Sequence, residues 1–132
     1  MPTTSRHIAA DAAAVWALLV DTERWPVWGP TVAAATLDGG GRVIGPGSRG
    51  RVRTAVGVAL PFEVTDWRDG RSWAWRVAGV PATAHAVEPL PDGGCRASIR
   101  VPWWAAAYLA VCWEGLRRID RLACSQAVDP DR

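Results

Sequence analysis

Two histidines occur in this 132-residue chain, and His85 is the one placed where an imidazole could do chemistry. It lies in Thr83-Ala84-His85-Ala86-Val87, an alternating run that turns His85 to the same side as Thr83 and Val87. On the inner side of a strand, a neutral imidazole can hydrogen-bond a ligand carbonyl or move a proton. A histidine satisfied by its neighbours at a cavity wall or strand edge fits the same pattern. Acid–base work calls for a second polar group, and Glu63, Asp66, Arg76 and Tyr108 are the possible partners. By alternation Glu63 and Arg76 point outward, where they form a cross-strand pair on the solvent face. Asp66 points inward close to a strand end; since a carboxylate buried alone is costly, its place is at a rim.

Other motifs carry less. Gly45-Pro46-Gly47-Ser48-Arg49-Gly50 fits the GxGxxG pattern, but a dinucleotide loop must follow a strand and open a helix. Here it leads into a strand, so it reads as a turn. Ser48 does not stand in a GxSxG frame, which fails at Pro46. Cys95, Cys112 and Cys124 are an odd number without CxxC spacing or a partnering His cluster. They argue for a reducing compartment and against a zinc site or disulfide framework. No metal site and no cofactor are implied.

Nine Trp stand against one Phe and one Tyr. A buried Trp carries roughly 150–250 Å² of surface, so these rings must dominate either a core or a cavity. Trp73 and Trp75, on one strand face, either wall an aromatic pocket or fill what would otherwise be empty space. The net charge of +2 is small, and the fifteen basic residues, all Arg, are scattered; nucleic acid is not an expected partner. Arg49, Arg51 and Arg53 form a basic stripe best read as a solvated outer face. Neither a transmembrane-length apolar run nor a signal peptide is visible. The expected location is cytoplasmic, without membrane insertion.

The elements that must position these residues follow from periodicity. Thr3 to Ala9 opens as a strand. Asp11 caps a helix with Val15, Trp16, Leu18 and Leu19 on its buried face. Asp21 caps a further turn that Pro26 ends, and Trp25-Pro26-Val27-Trp28-Gly29-Pro30 is an elbow into strand Thr31 to Leu37. A meander comes next: Arg51 to Val56, a strand with Phe62, Val64 and Asp66 inward, the Asp69-Gly70 hairpin, and strands bearing Trp73/Trp75/Val77, Thr83/His85/Val87 and Cys95/Ala97/Ile99/Val101. Pro102 to Ala127 reads as one long helix with Tyr108, Cys112, Leu116, Ile119 and Ala123 on the buried stripe. Glu114, Arg117, Arg118 and Arg121 take the other side, and Gly115 marks a close approach to another backbone. Trp103 and Trp104 begin this helix and close its open end.

This order of elements resembles the helix-grip fold of the START-related, pollen-allergen-like (SRPBCC) superfamily, in particular its polyketide cyclase/dehydrase branch. The marks are Ala13-Ala14-Val15-Trp16, Trp25-Pro26-Val27-Trp28, Gly47-Ser48-Arg49-Gly50, and Trp73-Ala74-Trp75-Arg76-Val77 followed by His85. The expected architecture is α+β: a curved antiparallel sheet of six or seven strands around a long C-terminal helix, with two short helices after strand 1. It forms a single domain over 1–127, and 128–132 is a flexible tail. The resemblance implies a cavity between sheet and helix that holds a small hydrophobic or aromatic molecule. Its expected lining is Trp28, Phe62, Trp73 and Trp75, with His85, Ile99, Tyr108 and Cys112. An open slot is favoured over one filled by Trp side chains. Two alternatives stand beside binding: a cyclase/dehydratase-type enzyme with His85 as acid or base and Tyr108 or Asp66 assisting, and a structural partner protein with a filled cavity. The chain is expected to be a monomer or homodimer.

Overall fold

The computed structural model of the protein describes residues 2–127, so the tail expected at 128–132 lies outside the described residues. In chain order the elements are strand β1 (Thr3–Ile8), helices α1 (Ala12–Val20) and α2 (Trp25–Trp28), and strands β2 (Val32–Leu37), β3 (Arg49–Thr54), β4 (Ala59–Arg68), β5 (Ser72–Val77), β6 (Val80–Pro89) and β7 (Cys95–Arg100). A 3-10 helix, Trp103–Tyr108, and helix α3, Leu109–Ala127, complete it. The seven strands form one antiparallel sheet in the order β1-β7-β6-β5-β4-β3-β2. Each neighbour from β2 to β7 is joined by a local connection, and β1 closes the far edge against β7. This is the helix-grip architecture that the order of elements implied.

Alternation sorts the strand residues as expected over most of the sheet. Val52, Phe62, Val64, Trp73, His85, Val87, Cys95, Ala97 and Ile99 are buried, while Arg49, Arg51 and Arg53 are exposed on the outer face. Gly50 lies among the inward positions because its neighbours leave no room. A Cβ there would come within 2.0 Å of the Thr36 carbonyl oxygen and 3.0 Å of the Phe62 ring.

Register shifts occur at Val32/Ala34 in β2, at Val64/Asp66 in β4 and between β5 and β6 at Ala74/Arg76, and the one in β4 overturns expected positions. Val64 pairs with Trp75 but Asp66 pairs with Ala74, so β4 carries an extra residue between them. Such a bulge resets the parity of everything after it. Asp66, expected inward, is exposed on the outer face; Trp67, expected outward, is half-buried against Trp16 at 5.3 Å between ring centroids. Glu63 and Arg76 are register partners as expected, but the ion pair Glu63 makes is with Arg49 on its other side, at 3.2 Å. Strand β3 stops at Thr54, two residues short of the expected end; Ala55 and Val56 form a turn, and Val56 is 85% exposed.

Helix α1 is capped by the Asp11 side chain, which accepts from the Ala13 N–H. Pro26 does not end a helix, as the sequence suggests, but occupies the first turn of α2, where its missing N–H has no partner to lose. Asp21 does accept from the Glu23 N–H, and its carboxylate is also held by Arg42.

The C-terminal segment is two helices rather than one. Ala105, with φ −112° and ψ 28°, breaks the spiral, so Trp103 to Tyr108 winds as a 3-10 helix and the α-helical ladder begins at Leu109. From there the stripe holds: Cys112, Leu116, Ile119 and Ala123 are buried, Arg117 and Arg121 exposed, and Glu114 and Arg118 half-buried as an ion pair at 2.9 Å. Helix α3 packs on β1 and β7 and also on α1 and α2, so it is not the sheet's only cover. Gly115 meets α2: a Cβ there would stand 3.3 Å from the Trp28 carbonyl oxygen and 3.6 Å from its ring.

Leu116→Ala is expected to lower unfolding free energy by roughly 2–5 kcal/mol, the usual cost of truncating a buried Leu. Trp113→Ala, at a position 52% exposed on the same helix, should change it by less than about 0.5 kcal/mol. Chemical denaturation of both variants checks the orientation of α3.

Candidate functional site

The space between helix and sheet is organised by aromatic rings. Trp25 reaches from α2 and lies flat on Trp73 of β5, centroids 5.5 Å apart at 15°. On the other side of Trp73 the His85 imidazole stacks at 4.1 Å. Trp75 meets this column edge-on, 5.3 Å from Trp25, and Phe62 lies tilted against Trp25 at 5.6 Å. The rings fill much of the hollow and leave an inner cavity of about 50 Å³, bounded by Trp28, Trp73, His85, Ile99, Cys112 and Gly115 among others. That volume suits a water or two, each taking roughly 30 Å³ in the liquid.

A second, larger space opens beyond Trp75. It measures about 320 Å³ and lies between the inner faces of β3, β5 and β6 and the 3-10 helix. Val52, Leu60, Val77 and Pro81 form its floor and sides, and Ala105 and Trp104 lie over it. Trp104 is 60% exposed although it lines the chamber, so its ring stands at the mouth. Trp103 beside it is 77% exposed and points away. Of the two rings expected to close the helix end, one borders the chamber and the other does not.

Inner cavity and outer chamber share Thr31, Val32, Trp75, Thr83 and Tyr108. These residues make a neck, and polar atoms concentrate there. Thr83 Oγ1 accepts from Trp75 Nε1 at 2.9 Å and stands 3.0 Å from His85 Nε2. The hydroxyls of Tyr108 and Thr31 bond to each other across the gap between the 3-10 helix and the start of β2.

Burial decides the electrostatics. The His85 pKa falls from 6.5 to about 3 because the buried imidazolium would be desolvated, against a smaller opposing influence from the Trp73 backbone. Nδ1 has no hydrogen bond of good geometry, and neither has Trp73 Nε1. The Cys112 thiol is pushed up to about 11 by burial, and burial likewise raises Tyr108, partly offset by its bond to Thr31. All three side chains are therefore uncharged at neutral pH. Among the described residues no group of three or more His, Cys, Asp or Glu side chains is placed to hold a metal ion.

Of the residues expected to form the lining, Trp28, Trp73, Trp75, His85, Ile99, Tyr108 and Cys112 border the inner cavity. Phe62 does not: its ring is set back behind Trp25 and Trp75, over Gly50. Asp66 is on the opposite face of the sheet and cannot assist His85. Sequence reasoning treated Thr83 only as an inward strand residue and missed Thr31, Val77 and the chamber itself. Thr83 shares parity with His85 two residues on, a signal that was present. Val77 shares parity with Trp75 in the same way, and only Thr31 carried no signal, since it meets the others through the curvature of the sheet.

The family description "Polyketide cyclase / dehydrase and lipid transport" matches residues 3–123. The chain belongs to this family. No curated protein matches it. Among solved structures it is similar to protein XoxI from Bacillus cereus, at 17% identity over 100% of this chain and 99% of that one, with a TM-score of 0.68. Hypothetical protein jhp0584 from Helicobacter pylori gives a TM-score of 0.73 at 15% identity, over 92% and 86% of the two chains. Protein Ms6760 from Mycobacterium smegmatis gives 0.65 at 19% identity, over 94% and 90%. These likenesses establish the SRPBCC-type helix-grip fold, and the family as a whole supports a ligand-binding role in general terms. No helix of the described residues is long and apolar enough to cross a membrane.

A depressed histidine pKa makes stability pH-dependent with a defined sign. The unfolded chain binds a proton at His85 near pH 6.5, whereas the folded protein resists it until about pH 3. The stabilisation is complete above pH 6.5 and is lost as pH falls towards 3. At pH 4.5 the loss attributable to His85 should be about 3 kcal/mol. Denaturation of wild type and His85→Phe across this window checks it: the difference between them should shift by that amount, and a constant difference would mean that the imidazole is not buried neutral.

Proposed function

We propose that the protein binds a small hydrophobic or aromatic molecule in the chamber beyond Trp75. The observation that carries this reading is the chamber itself: about 320 Å³, within the range of small-molecule sites, and apolar on almost every side. Two of its boundary residues, Trp75 and Trp104, offer ring faces to a flat guest. The rings that fill the inner cavity set a firm back wall, so the guest sits in the outer half of the hollow.

Catalysis finds less support. A histidine with a pKa of about 3 cannot hold a proton to give as an acid near neutrality, and it is a weak base. The carboxylate expected to assist it, Asp66, is on the far side of the sheet. Free thiols at Cys95, Cys112 and Cys124 suit a reducing compartment, and we place the protein in the cytoplasm on that ground.

Calorimetric titration with a panel of neutral polycyclic aromatics tests the reading. Wild type should bind at least one with saturation, and Val77→Trp, which fills the chamber from its side, should weaken that binding by about tenfold or more, about 1.4 kcal/mol, with an unchanged circular dichroism spectrum. Equal affinity in both proteins would place the site elsewhere. Absence of any binding to wild type would refute the ligand-binding reading.

A further inference from the structure

We propose that the end of the protein around the mouth of the chamber docks on an anionic lipid surface. This goes beyond the binding of a guest and does not depend on it. It rests on what the rim exposes to the outside, not on what the chamber encloses.

The rim is apolar where it projects. Strands β3 and β5 run towards this end and turn back there into β4 and β6, while β7 runs to it and continues into the 3-10 helix. Val56 and Val58, 85% and 51% exposed, lie between β3 and β4; Val80, 46% exposed, opens β6; Trp103 and Trp104 begin the 3-10 helix. These are five of the eight large hydrophobic side chains that stand exposed among the described residues. Scattered singly, such side chains need no explanation; gathered around one opening, they mark a contact surface.

The same end is basic. The stretches 27–37, 51–62, 74–87 and 98–113, which build it, hold four of the fifteen basic residues and none of the thirteen acidic ones. The rest of the chain carries eleven basic against thirteen acidic. Arg53 and Arg76 are the next-to-last residues of β3 and β5, and Arg100 is the last of β7. All three are exposed, and none forms an ion pair with a described residue. An anionic bilayer surface answers both features: indole rings and valine tips settle at the headgroup boundary, and guanidinium groups meet the phosphates. Such docking is peripheral, and no helix of the described residues need cross the bilayer. A second copy of the chain fits less well, because contact rim to rim sets like charges opposite each other. An acidic protein would answer the cations, but it would also have to match the projecting valines and Trp103 in shape. A fluid interface has no such requirement.

Flotation with vesicles of phosphatidylcholine alone, and of equimolar phosphatidylcholine and phosphatidylglycerol, tests the inference. Wild type should bind the anionic vesicles about a hundredfold or more tightly than the neutral ones, and added salt should weaken that binding. Arg53→Gln with Arg76→Gln should weaken it roughly thirtyfold, about fivefold for each cation taken from an anionic surface. Arg68→Gln with Arg71→Gln removes the same charge from the β4–β5 turn at the opposite end of the sheet, and should change it by less than about twofold. Trp103→Ala should weaken it by about fivefold or more, whereas Trp113→Ala, on α3, should leave it unchanged. All six positions are exposed, so circular dichroism spectra should match wild type. Equal loss in the two arginine pairs would mean that net charge alone drives binding, and overturns the inference. Full binding by Trp103→Ala would mean that only charge is recognised, as an acidic protein would also do, and overturns it too. So does a wild type that floats with neither vesicle, whether it sediments as a monomer or as a dimer that Trp103→Ala dissociates. Each of these failures leaves the chamber standing as a ligand site.

Discussion

The interior depends on how the last carbonyls of α1 are satisfied. A helix leaves its final four carbonyls without partners inside the helix, and here that end is buried: Leu18, Leu19 and Val20 are all within the core. Trp28 Nε1 donates to the Leu18 carbonyl and Trp25 Nε1 to that of Leu19, each at 2.8 Å; the Ile44 N–H reaches Val20 at 2.9 Å. Two indoles thus serve at once as helix cap and as core. Holding those nitrogens fixes the planes of the rings, and the ring of Trp25 is thereby laid on Trp73. Gly115 completes the arrangement by letting α3 approach the Trp28 backbone. An aromatic residue without a ring N–H could fill the same volume, but it would leave a buried carbonyl unpaired.

For function, the consequence is a division of the hollow. The column Trp25–Trp73–His85 occupies most of the end under α3 and buries the imidazole, which is why it stays neutral. The other end, under the short 3-10 helix, has no comparable ring wedge from α1 or α2 and remains open. The same tryptophans that raise the question of a filled or an open cavity answer it in both ways: filled at one end, bounded at the other. Trp75 stands between, half-buried, with its ring edge in the column and its nitrogen tied to Thr83.

How much of this was legible in the sequence depends on which forces are local. Two-residue alternation marks β5, β6 and β7, and the buried stripe of α3 from Cys112 to Ala123 appears at helical spacing. The family resemblance then orders them into a helix grip. The β4 bulge carries no such mark: one inserted residue between Val64 and Asp66 reverses Asp66 and Trp67, and with it the candidate acid beside His85 disappears. The break at Ala105 is equally silent, because Trp-Trp-Ala-Ala-Ala-Tyr suits either kind of helix. Phe62 faces inward as parity demands, yet it packs behind other rings. Whether an inward residue lines a space or supports its wall depends on its neighbours across the sheet, not on its own strand. The chamber is the extreme case, assembled from residues as far apart as Thr31, Val77 and Trp104.

A crystal structure of the protein with a bromine-substituted phenanthrene tests the central claim most directly, because the bromine's anomalous signal marks the position of the guest. The account predicts a single site between Val77, Pro81 and Trp104, with Trp25, Trp73 and His85 still stacked behind it. Bromine found between Trp73 and Cys112, with the column displaced, would contradict the claim that those rings form a fixed wall, and so would an outer chamber closed by the 3-10 helix and holding no guest.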